Sequence, residues 1–279
     1  MHPTAMNNGK MFFDTYVVGR HGVLIIDIGA QDITGSLRSF CPDGEGIQYV
    51  GVDFAEGNGV DVVLTDPYAL PFDDETADIV ISSSCLEHSE MFWLVFNEIM
   101  RILRPDGLLY LNVPSNGAFH RYPVDCWRFY PDSGNALVSW ARRSGMNPAL
   151  LESYVSRQLD DNWNDFVAVF VKDQAQAVNY PRRIIDTFTD FNNGWRYGDA
   201  VIHNAATMPE VDQFVQALQS ARADMMLEAD QYMQTLETAH TAMLVLQERA
   251  TRAERELARM SSSSGEGGTT SLFPSVDTR

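Results

Sequence analysis

The stretch IIDIGAQDITGSLR, residues 25–38, decides the fold of this chain. It opens with an apolar run, places an acid at Asp27 and turns at Gly29. An apolar run of this kind is typical of a central parallel strand that is buried on both faces of a sheet. Nucleotide-binding loops carry further glycines at the next alternate positions, where this chain has Gln31 and Ile33. The stretch therefore predicts a buried strand followed by a ligand-binding turn of unusual sequence.

From residue 22 to about residue 173, short β-branched runs alternate with helical patterns, which predicts a doubly wound α/β sheet. The predicted strands are residues 23–29, 47–53, 60–65, 77–85 and 108–113, followed by an antiparallel hairpin of residues 149–156 and 166–171. The predicted helices are residues 90–103, capped by Ser89 and ended by the turn at residues 104–107, and residues 132–143. We therefore expect a seven-stranded domain over residues 1–173 and an irregular connector over residues 174–208.

The pattern changes wholly at residues 209–260, where apolar residues recur three and four apart with no Pro or Gly inside the repeat. This spacing predicts one long helix with a heptad seam and a single stutter. A helix of that length needs a cover for its apolar stripe, so we expect a homo-oligomer or a helical partner, with packing on the first domain as the alternative. The oligomeric state is not readable from the seam. Residues 261–279 begin with a low-complexity run and are predicted to be a disordered tail.

Composition limits the partners and the compartment. The 279 residues include 45% hydrophobic and 11% aromatic side chains, and the formal charge is −18. Nucleic acid is excluded as a first hypothesis, because neutralising phosphates needs clustered Lys and Arg. Cys41, Cys85 and Cys126 have no metal-like spacing and predict buried thiols in a reducing compartment. Without a signal segment or a membrane-spanning apolar run, the chain is expected to be soluble and cytoplasmic.

Polar residues stand where each predicted parallel strand ends. Asp53 closes the second strand 24 residues after Gly29, where a carboxylate can accept hydrogen bonds from both hydroxyls of a ribose. Asp66 follows the third strand, placed to receive an adenine amino group. The fourth strand ends at Ser83 and Ser84, whose carbonyls can face a cofactor amine. Ligands of open α/β sheets bind at this carboxyl edge, so the strand ends predict one cleft.

Four motifs at these positions, IIDIGA, YVGVDF, TDPYALPFDDETADIVISSSCLEH and ILRPDGLLYLNVPS, carry a resemblance to a known family. Residues 23–172 resemble class I S-adenosylmethionine-dependent methyltransferases of the type-11-like kind, whose Rossmann-like sheet also ends in an antiparallel hairpin. That family usually has a second glycine where Gln31 stands. A set of bacterial methyltransferases with the loop Gly-x-x-Asp-x-x-Gly-Ser-x-Arg is more similar still. The resemblance implies S-adenosyl-L-methionine as cofactor, bound by Asp27, Gly29, Ala30, Gln31, Asp53, Phe54, Asp66, Pro67, Ser83 and Ser84.

The loop after the fifth strand, SNGAFHRYPVDCWRFYPDSG, crowds charged and aromatic residues together and predicts acceptor recognition. Aromatic faces beside carboxylate and guanidinium groups suit a sugar or glycan end, contacted by Tyr122, Asp125, Trp127 and Arg128. The phrase His-x-x-Pro-x-Asp-x-x-Arg-Phe also resembles methyltransferases encoded among bacterial polysaccharide and glycosylation enzymes. As alternatives, Asp125 and Arg128 form a structural ion pair, and Trp127 belongs to the core.

A hydroxyl acceptor needs a base, and the sequence offers His88 at the sheet edge and His120 in the loop, leaving open which one acts. Packing beside the helix is the alternative for His88. A divalent metal is conceivable near His120 but is not predicted. The leading hypothesis is thus an S-adenosylmethionine-dependent O-methyltransferase acting on a small-molecule or glycan hydroxyl, without a membrane span.

Two further hypotheses stay open. One is a catalytically weak methyltransferase-like scaffold that oligomerises or binds a partner through its C-terminal helix. The other is a small-molecule or lipid methyltransferase with no role in glycan modification. A dehydrogenase is disfavoured, because its glycine fingerprint is even less complete here than that of a methyltransferase.

Overall fold

In the computed structural model, which describes residues 1–42, 46–207 and 210–263, the first compact unit is built on one twisted sheet. The described residues form eight strands in the order β3-β2-β1-β4-β5-β7-β6-β8. The strands are β1 (Leu24–Ile28), β2 (Gln48–Asp53), β3 (Val62–Val63), β4 (Ala77–Ser83), β5 (Leu103–Pro114), β6 (Ala149–Ser156), β7 (Asp165–Val171) and β8 (Phe191–Arg196). This is a Rossmann-like sheet, mostly parallel with an antiparallel end, and the predicted fold class is confirmed.

The carboxyl ends of the parallel strands lie side by side. β1 pairs in parallel with β2 and β4, so that Asp27 is in register with Gly51 on one side and Ile81 on the other. β5 pairs in parallel with β4, whereas β7 runs antiparallel to both β5 and β6. The predicted closing hairpin therefore exists, and the strand reversal between β1 and β4 opens the cleft at the edge where β1, β2 and β4 end.

The connector contains an eighth strand that the sequence analysis did not predict. β8 pairs antiparallel with β6, with Ser153 opposite Trp195, and an isolated bridge joins Gly194 to His203. The expectation of an irregular connector over residues 174–208 was wrong for this part. Its Asn/Gly-rich sequence hid the strand, because such residues are rare in strands and only the open edge of β6 makes the pairing favourable.

Each face of the sheet has its own hydrophobic core. On one face, α2 (Phe92–Ile102) and α3 (Ser133–Arg143) pack on the sheet, and Phe96, Ile99 and Leu137 are buried. On the other face lies α1 (Pro3–Phe12), a helix that the sequence analysis missed, followed by a π-helical turn at Phe13–Val17. Phe12 stacks on Tyr110 of β5, with the ring centroids 4.6 Å apart. The N-terminal segment thus covers the face that a helix after β1 covers in doubly wound folds.

Three local predictions need correction. Ser89 does not cap α2, because Met91 precedes the first helical residue without a side-chain capping bond. The glycine-bearing loop after β1 normally leads into a helix that packs on the sheet, and we expected Gly35 to relieve crowding there. The described residues between β1 and β2 form only a short 3₁₀ turn, Leu37–Phe40, and a Cβ at Gly35 would lie 3.3 Å from the sulfur of Met6 in α1. The predicted turn at residues 104–107 belongs to the extended β5.

The cysteine prediction holds only in part. Cys126 is exposed, and Cys41 and Cys85 are half-buried. Cys126 lies in the loop after β5, whose side chains were predicted to meet the acceptor. The expectation of three buried thiols was therefore wrong.

The second compact unit begins at Val211, and its described residues belong to one helix, α4 (Glu210–Ser263), whose first residue lies just before the unit. Its apolar side chains are exposed, and residues 211–263, the described part of this unit, contain no second element to cover them. The helix continues through Ser263, three residues beyond the predicted end, so the disordered tail predicted from residue 261 was wrong for these three residues, and the rest of that tail lies outside the described residues. Within the ranges that the structure describes, no helix is long and apolar enough to cross a membrane.

Candidate active site

A cavity of about 590 Å³ opens at the carboxyl ends of β1, β2 and β4. Of the predicted site residues, those on its wall are Asp27, Gly29, Ala30, Gln31, Asp53, Phe54, Pro67, Ser83, Ser84, His88 and Tyr122. Those outside the wall are Asp66, His120, Asp125, Trp127 and Arg128. The sheet edge therefore brings most of the predicted cofactor residues together, and it leaves most of the predicted acceptor residues behind the wall.

The turn at Gly29 is fixed by a close approach of two loops. Gly29 has φ +84°, and a Cβ there would lie 2.6 Å from the Cβ of Cys85, which follows β4. The backbone N–H groups of Gly29 and Ala30 both donate to the carbonyl of Val52, at 2.9 and 3.1 Å. Only glycine fits this position, because the conformation is left-handed and the space is occupied.

The remaining motif residues of the loop also have structural roles. Asp32 Oδ1 accepts from the backbone N–H of Gly35 at 2.8 Å, which closes the turn. Ser36 Oγ accepts from the backbone N–H of Arg38 at 3.2 Å, and the guanidinium of Arg38 is ion-paired with Asp61 beyond β2. The Asp, Ser and Arg of the Gly-x-x-Asp-x-x-Gly-Ser-x-Arg pattern therefore stabilise the loop through hydrogen bonds and an ion pair. Nucleotide-binding loops with the usual sequence have further glycines instead.

Asp53 ends β2 with its carboxylate inside the cavity. It is 6% exposed, and Oδ2 accepts from the backbone N–H of Gln31 at 3.2 Å. Oδ1 accepts a long bond, 3.3 Å, from the backbone N–H of Ala55. A carboxylate has about four acceptor positions, so Asp53 keeps capacity for two hydroxyl donors of a ligand.

Asp27 lies at the end of β1, buried and bonded to one neighbour. Its Oδ2 accepts from the hydroxyl of Tyr49 at 2.7 Å. Burial raises the pKa of the Asp27 carboxyl from its ordinary value of 3.8 to about 6, although the Tyr49 hydrogen bond acts in the opposite direction. This group is the most perturbed carboxyl on the cavity wall, and a cation in the cavity would favour its charged form.

Gln31 turns its side chain toward two loops at the cavity rim. Its Nε2 donates to the carbonyl of Glu56 at 3.2 Å, and its Oε1 accepts from the hydroxyl of Tyr122 at 2.5 Å. Gln31 thus joins the loop after β1 to the loop after β5.

The predicted residues at the ends of β4 and β3 differ in how they contribute to the cavity wall. Ser84 has φ +53°, and its backbone N–H donates to the carbonyl of Asn112 at 2.9 Å, so the chain turns sharply after β4 along the cavity wall. The side-chain oxygen of Ser83 is buried and has no hydrogen-bond partner among the described residues. Asp66 is exposed and accepts from the backbone N–H of Tyr68 at 2.9 Å, while the side chains of Pro67 and Tyr68 line the wall.

His88 meets a buried carboxylate that the sequence analysis did not single out. Glu87 is 1% exposed, and its Oε1 lies 3.8 Å from His88 Nε2. Burial raises the pKa of the Glu87 carboxyl to about 8 and lowers the pKa of His88. In the sequence, Glu87 looks like one more polar residue of a strand end, and only its burial makes it unusual.

The loop after β5 is held by the ion pair that was kept as an alternative. Asp125 Oδ1 and Oδ2 accept from Arg128 at 2.6 and 2.9 Å, and Oδ2 also accepts from the backbone N–H of His120 at 2.7 Å. The Arg128 guanidinium holds the pKa of Asp125 at about 2, well below its usual value. Trp127 donates from Nε1 to the carbonyl of Ser89 and packs against Phe92. These side chains fix the loop, and Tyr122 is the predicted acceptor residue that reaches the cavity.

Residues 28–111 match the sequence profile of a family described as "Methyltransferase domain". Among curated proteins, the chain is 29% identical over 115 residues to an uncharacterized methyltransferase of Mycobacterium leprae (strain Br4923) and 37% identical over 105 residues to one of Mycobacterium marinum (strain ATCC BAA-535 / M). Each alignment covers 37% of this chain, and it covers 42% and 40% of the two relatives, about two fifths of their length. The resemblance to methyltransferases is confirmed for this part of the chain.

Two solved structures are also similar. One is 1,6-didemethyltoxoflavin-N1-methyltransferase of Burkholderia thailandensis, with bound 1,6-didemethyltoxoflavin and S-adenosylhomocysteine. It has 18% identity and a TM-score of 0.46, covering 61% of this chain and 79% of that chain. The other is phosphoethanolamine N-methyltransferase 2 of Haemonchus contortus in complex with S-adenosyl-L-methionine. It has 14% identity and a TM-score of 0.44, covering 60% of this chain and 52% of that chain.

Proposed function

We propose that the chain is an S-adenosyl-L-methionine-dependent methyltransferase that methylates a hydroxyl of a sugar or glycan. The observation that carries the proposal is the Asp53 carboxylate at the end of β2, buried in a cavity of about 590 Å³ and bonded to the turn after β1. A carboxylate at this strand end is the group that binds ribose hydroxyls in nucleotide-binding α/β sheets. The methyltransferase profile over residues 28–111 supports the same conclusion.

The cavity wall suits each part of the cofactor. Asp53 binds the ribose, the apolar surfaces of Phe54 and Pro67 flank the adenine, and Asp27 stands at the methionine end. The buried Ser83 hydroxyl, unpartnered in the described chain, has hydrogen-bonding capacity for the cofactor's amino group. S-adenosyl-L-methionine supplies a methyl group on a sulfonium, and the protein has to align an acceptor with it and remove the acceptor's proton.

The proposed base is His88, with His120 as the alternative. His88 lines the cavity, and its Nδ1 contacts the carbonyl of Val124 at 2.5 Å. That contact assigns the proton to Nδ1 and leaves Nε2 as the basic nitrogen. His120 lies behind His88, with the ring centroids 5.0 Å apart, and is not part of the cavity wall.

Tyr122 is the proposed acceptor contact, since its exposed ring lines the opening.

The decisive experiment is calorimetry of cofactor binding. Asp53→Ala should weaken the binding of S-adenosylhomocysteine by about 1–3 kcal/mol, because a buried charge-assisted hydrogen-bond acceptor is lost. Asp73→Ala is the matched control, since Asp73 is an exposed carboxylate outside the cavity wall. Unchanged affinity in Asp53→Ala, or an equal loss in both variants, would contradict the proposed site.

The acceptor class needs its own test. Transfer of labelled methyl from the cofactor should be seen with sugar or glycan hydroxyls, and it should be lost in His88→Ala if His88 is the base. Labelling of lipid acceptors or small non-sugar molecules alone would replace the glycan assignment and keep the methyltransferase.

The long helix favours a second candidate function. An exposed apolar stripe along α4 is the feature expected of a scaffold that oligomerises or binds a helical partner. The cofactor separates the two functions. A folded protein that gives no heat with S-adenosylmethionine or S-adenosylhomocysteine at high concentration would favour the scaffold.

A further inference from the structure

Glu87 is a buried acidic residue next to the cavity, and one of its side-chain oxygens has no hydrogen-bond partner among the described residues. The residue is 1% exposed, and the oxygen is Oε2. Leaving a buried carboxyl oxygen unpaired costs free energy, and a bound ion is a partner that would remove this cost. The carboxylate is directed at His88, with Oε1 3.8 Å from His88 Nε2.

Glu87, His88 and His120 together present a ligand set. One ligand atom from each of the three side chains lies within 4.8 Å of the other two. Around an ion with bonds of about 2.0–2.2 Å, ligand atoms at tetrahedral angles lie about 3.3–3.6 Å apart, so the side chains would have to close by up to about 1.5 Å to bind one. Two imidazoles and one carboxylate form the donor set of divalent first-row transition ions, and it is unlike the all-oxygen sets of Mg²⁺ or Ca²⁺.

Both imidazoles are oriented as metal ligands are. His88 Nδ1 contacts the carbonyl of Val124 at 2.5 Å, which leaves Nε2 for an ion. His120 Nδ1 lies 3.2 Å from the carbonyl of Ala118 and 3.4 Å from Asp125 Oδ2. Outer carbonyls and carboxylates of this kind fix the tautomer and the direction of ligating histidines. The Arg128 guanidinium, 3.5 Å from His120 Nδ1, is bound by both oxygens of Asp125.

We propose that Glu87, His88 and His120 bind one divalent transition-metal ion at the rim of the cavity, with Asp125 positioning His120. Binding of the ion rests on this geometry alone. A catalytic role of the ion rests on the proposed function. An ion beside the acceptor position would bind the acceptor hydroxyl and favour its deprotonated form, the oxyanion. With the ion bound, His88 would be a ligand instead of the base proposed above, and water would accept the acceptor's proton.

The test uses the full chain, stripped with a chelator and then titrated with Co²⁺ or Zn²⁺ in excess Mg²⁺, because the chain's charge of −18 attracts cations to exposed oxygens. Equilibrium dialysis should give one tightly bound ion per chain, and Co²⁺ should show the visible absorption of a nitrogen–oxygen site. His120→Ala and Glu87→Gln should each weaken binding by more than about 100-fold, and Asp125→Asn by about 10–100-fold. His203→Ala is the matched control, because His203 also pairs with a carboxylate, Asp199, at 2.8 Å.

Binding that is equal in wild type, His120→Ala and Glu87→Gln, or absent up to millimolar ion, would overturn the proposal. Circular dichroism establishes that each variant is folded. If the buried Glu87→Gln fails to fold, His120→Ala still decides the question, because His120 lies on a partly exposed loop. Cofactor binding is measured separately, by calorimetry of the protein in the presence of the chelator. Ion binding without cofactor binding would contradict the proposed methyltransferase and leave the metal site standing.

Discussion

Asp27 is the residue whose charge depends most on what fills the cavity. Its raised pKa of about 6 means that between about pH 4 and pH 6 the unfolded chain ionises this group while the folded chain keeps it protonated. The free energy of unfolding therefore falls across that window as the pH rises, by about 3 kcal/mol for such a difference in pKa.

Asp27→Asn should remove this dependence, because Asn can still accept from the Tyr49 hydroxyl but does not titrate. In urea unfolding without ligand, the stability of the variant relative to wild type should rise between pH 4 and pH 6 and then stay level. Asp73→Asn, at an exposed position, is the control variant. A difference that falls with pH for Asp27→Asn would contradict the assignment.

Gly29 combines a left-handed conformation with a close contact, and a second glycine separates the two effects. Gly19 has φ +81°, nearly the same as Gly29, but a Cβ there would meet nothing within 4 Å. Gly19→Ala should cost about 1–2 kcal/mol for the conformation alone. Gly29→Ala should cost about 1–3 kcal/mol more, because its Cβ would overlap Cys85.

Denaturant midpoints of the two glycine variants measure this difference. Cofactor affinity should fall only in Gly29→Ala, since Gly29 is on the cavity wall and Gly19 is not. Equal losses of stability would mean that the loop after β4 yields to the added methyl group.

Single residues also show what the sequence could and could not reveal. The sequence placed Asp27, Gly29 and Asp53 at one cavity, because the ends of apolar strands are visible as patterns and adjacent parallel strands bring them together. Glu87 was missed, because its importance comes from burial and a missing partner, and neither leaves a local signal. For Asp125 and Arg128 the sequence left acceptor binding and an ion pair both open, since spacing cannot tell the two apart, and the structure shows the ion pair.

Among the elements, the loop after β5 is tied to the cofactor loop by one bond, from the Tyr122 hydroxyl to Gln31 Oε1. Tyr122→Phe should free the loop tip, and backbone amides of residues 118–124 should exchange with solvent about 2- to 10-fold faster, as expected for a bond worth about 0.5–1.5 kcal/mol. Hydrogen-exchange mass spectrometry measures the rates.

Tyr130→Phe is the control for this loop, because Tyr130 is an exposed tyrosine outside the cavity wall. If both variants exchange equally, or if Tyr122→Phe exchanges no faster than wild type, the bond does not hold the loop.

The elements that the sequence predicted well are those with strong periodicity. β1, β6 and α3 begin and end within two residues of the prediction, because apolar alternation and helical spacing are local. α1 and β8 were not predicted, because α1 is a short and polar-rich segment and β8 is an Asn/Gly-rich one. Both owe their structure to surfaces that exist only after the sheet has formed.

At the scale of the whole molecule, the question is what the apolar stripe of α4 does. The proposed homo-oligomer or helical partner needs the seam residues, among them Leu236, which is 62% exposed. Leu236→Glu should lower the mass measured by light scattering, because a charge in a seam opposes helix association. Leu227 is 61% exposed but lies off the seam, so Leu227→Glu should leave the mass unchanged.

Truncation after Thr207 complements the seam variants. It retains the bond from the Ala206 backbone N–H to Asn193, and so should keep the first unit folded and able to bind the cofactor while the oligomer is lost. If the oligomer survives both the truncation and Leu236→Glu, association does not run through α4.

The eighth strand bears on how the protein behaves at high concentration. A sheet that stopped at β6 would offer a row of open N–H and C=O groups to another chain, and such a row can template fibril growth. β8 occupies that row, and the bridge from Gly194 to His203 shields part of the strand in turn. At the opposite margin, β3 is only two residues long. Expression fragments cut before Phe191 should therefore precipitate even though the cavity residues are all retained.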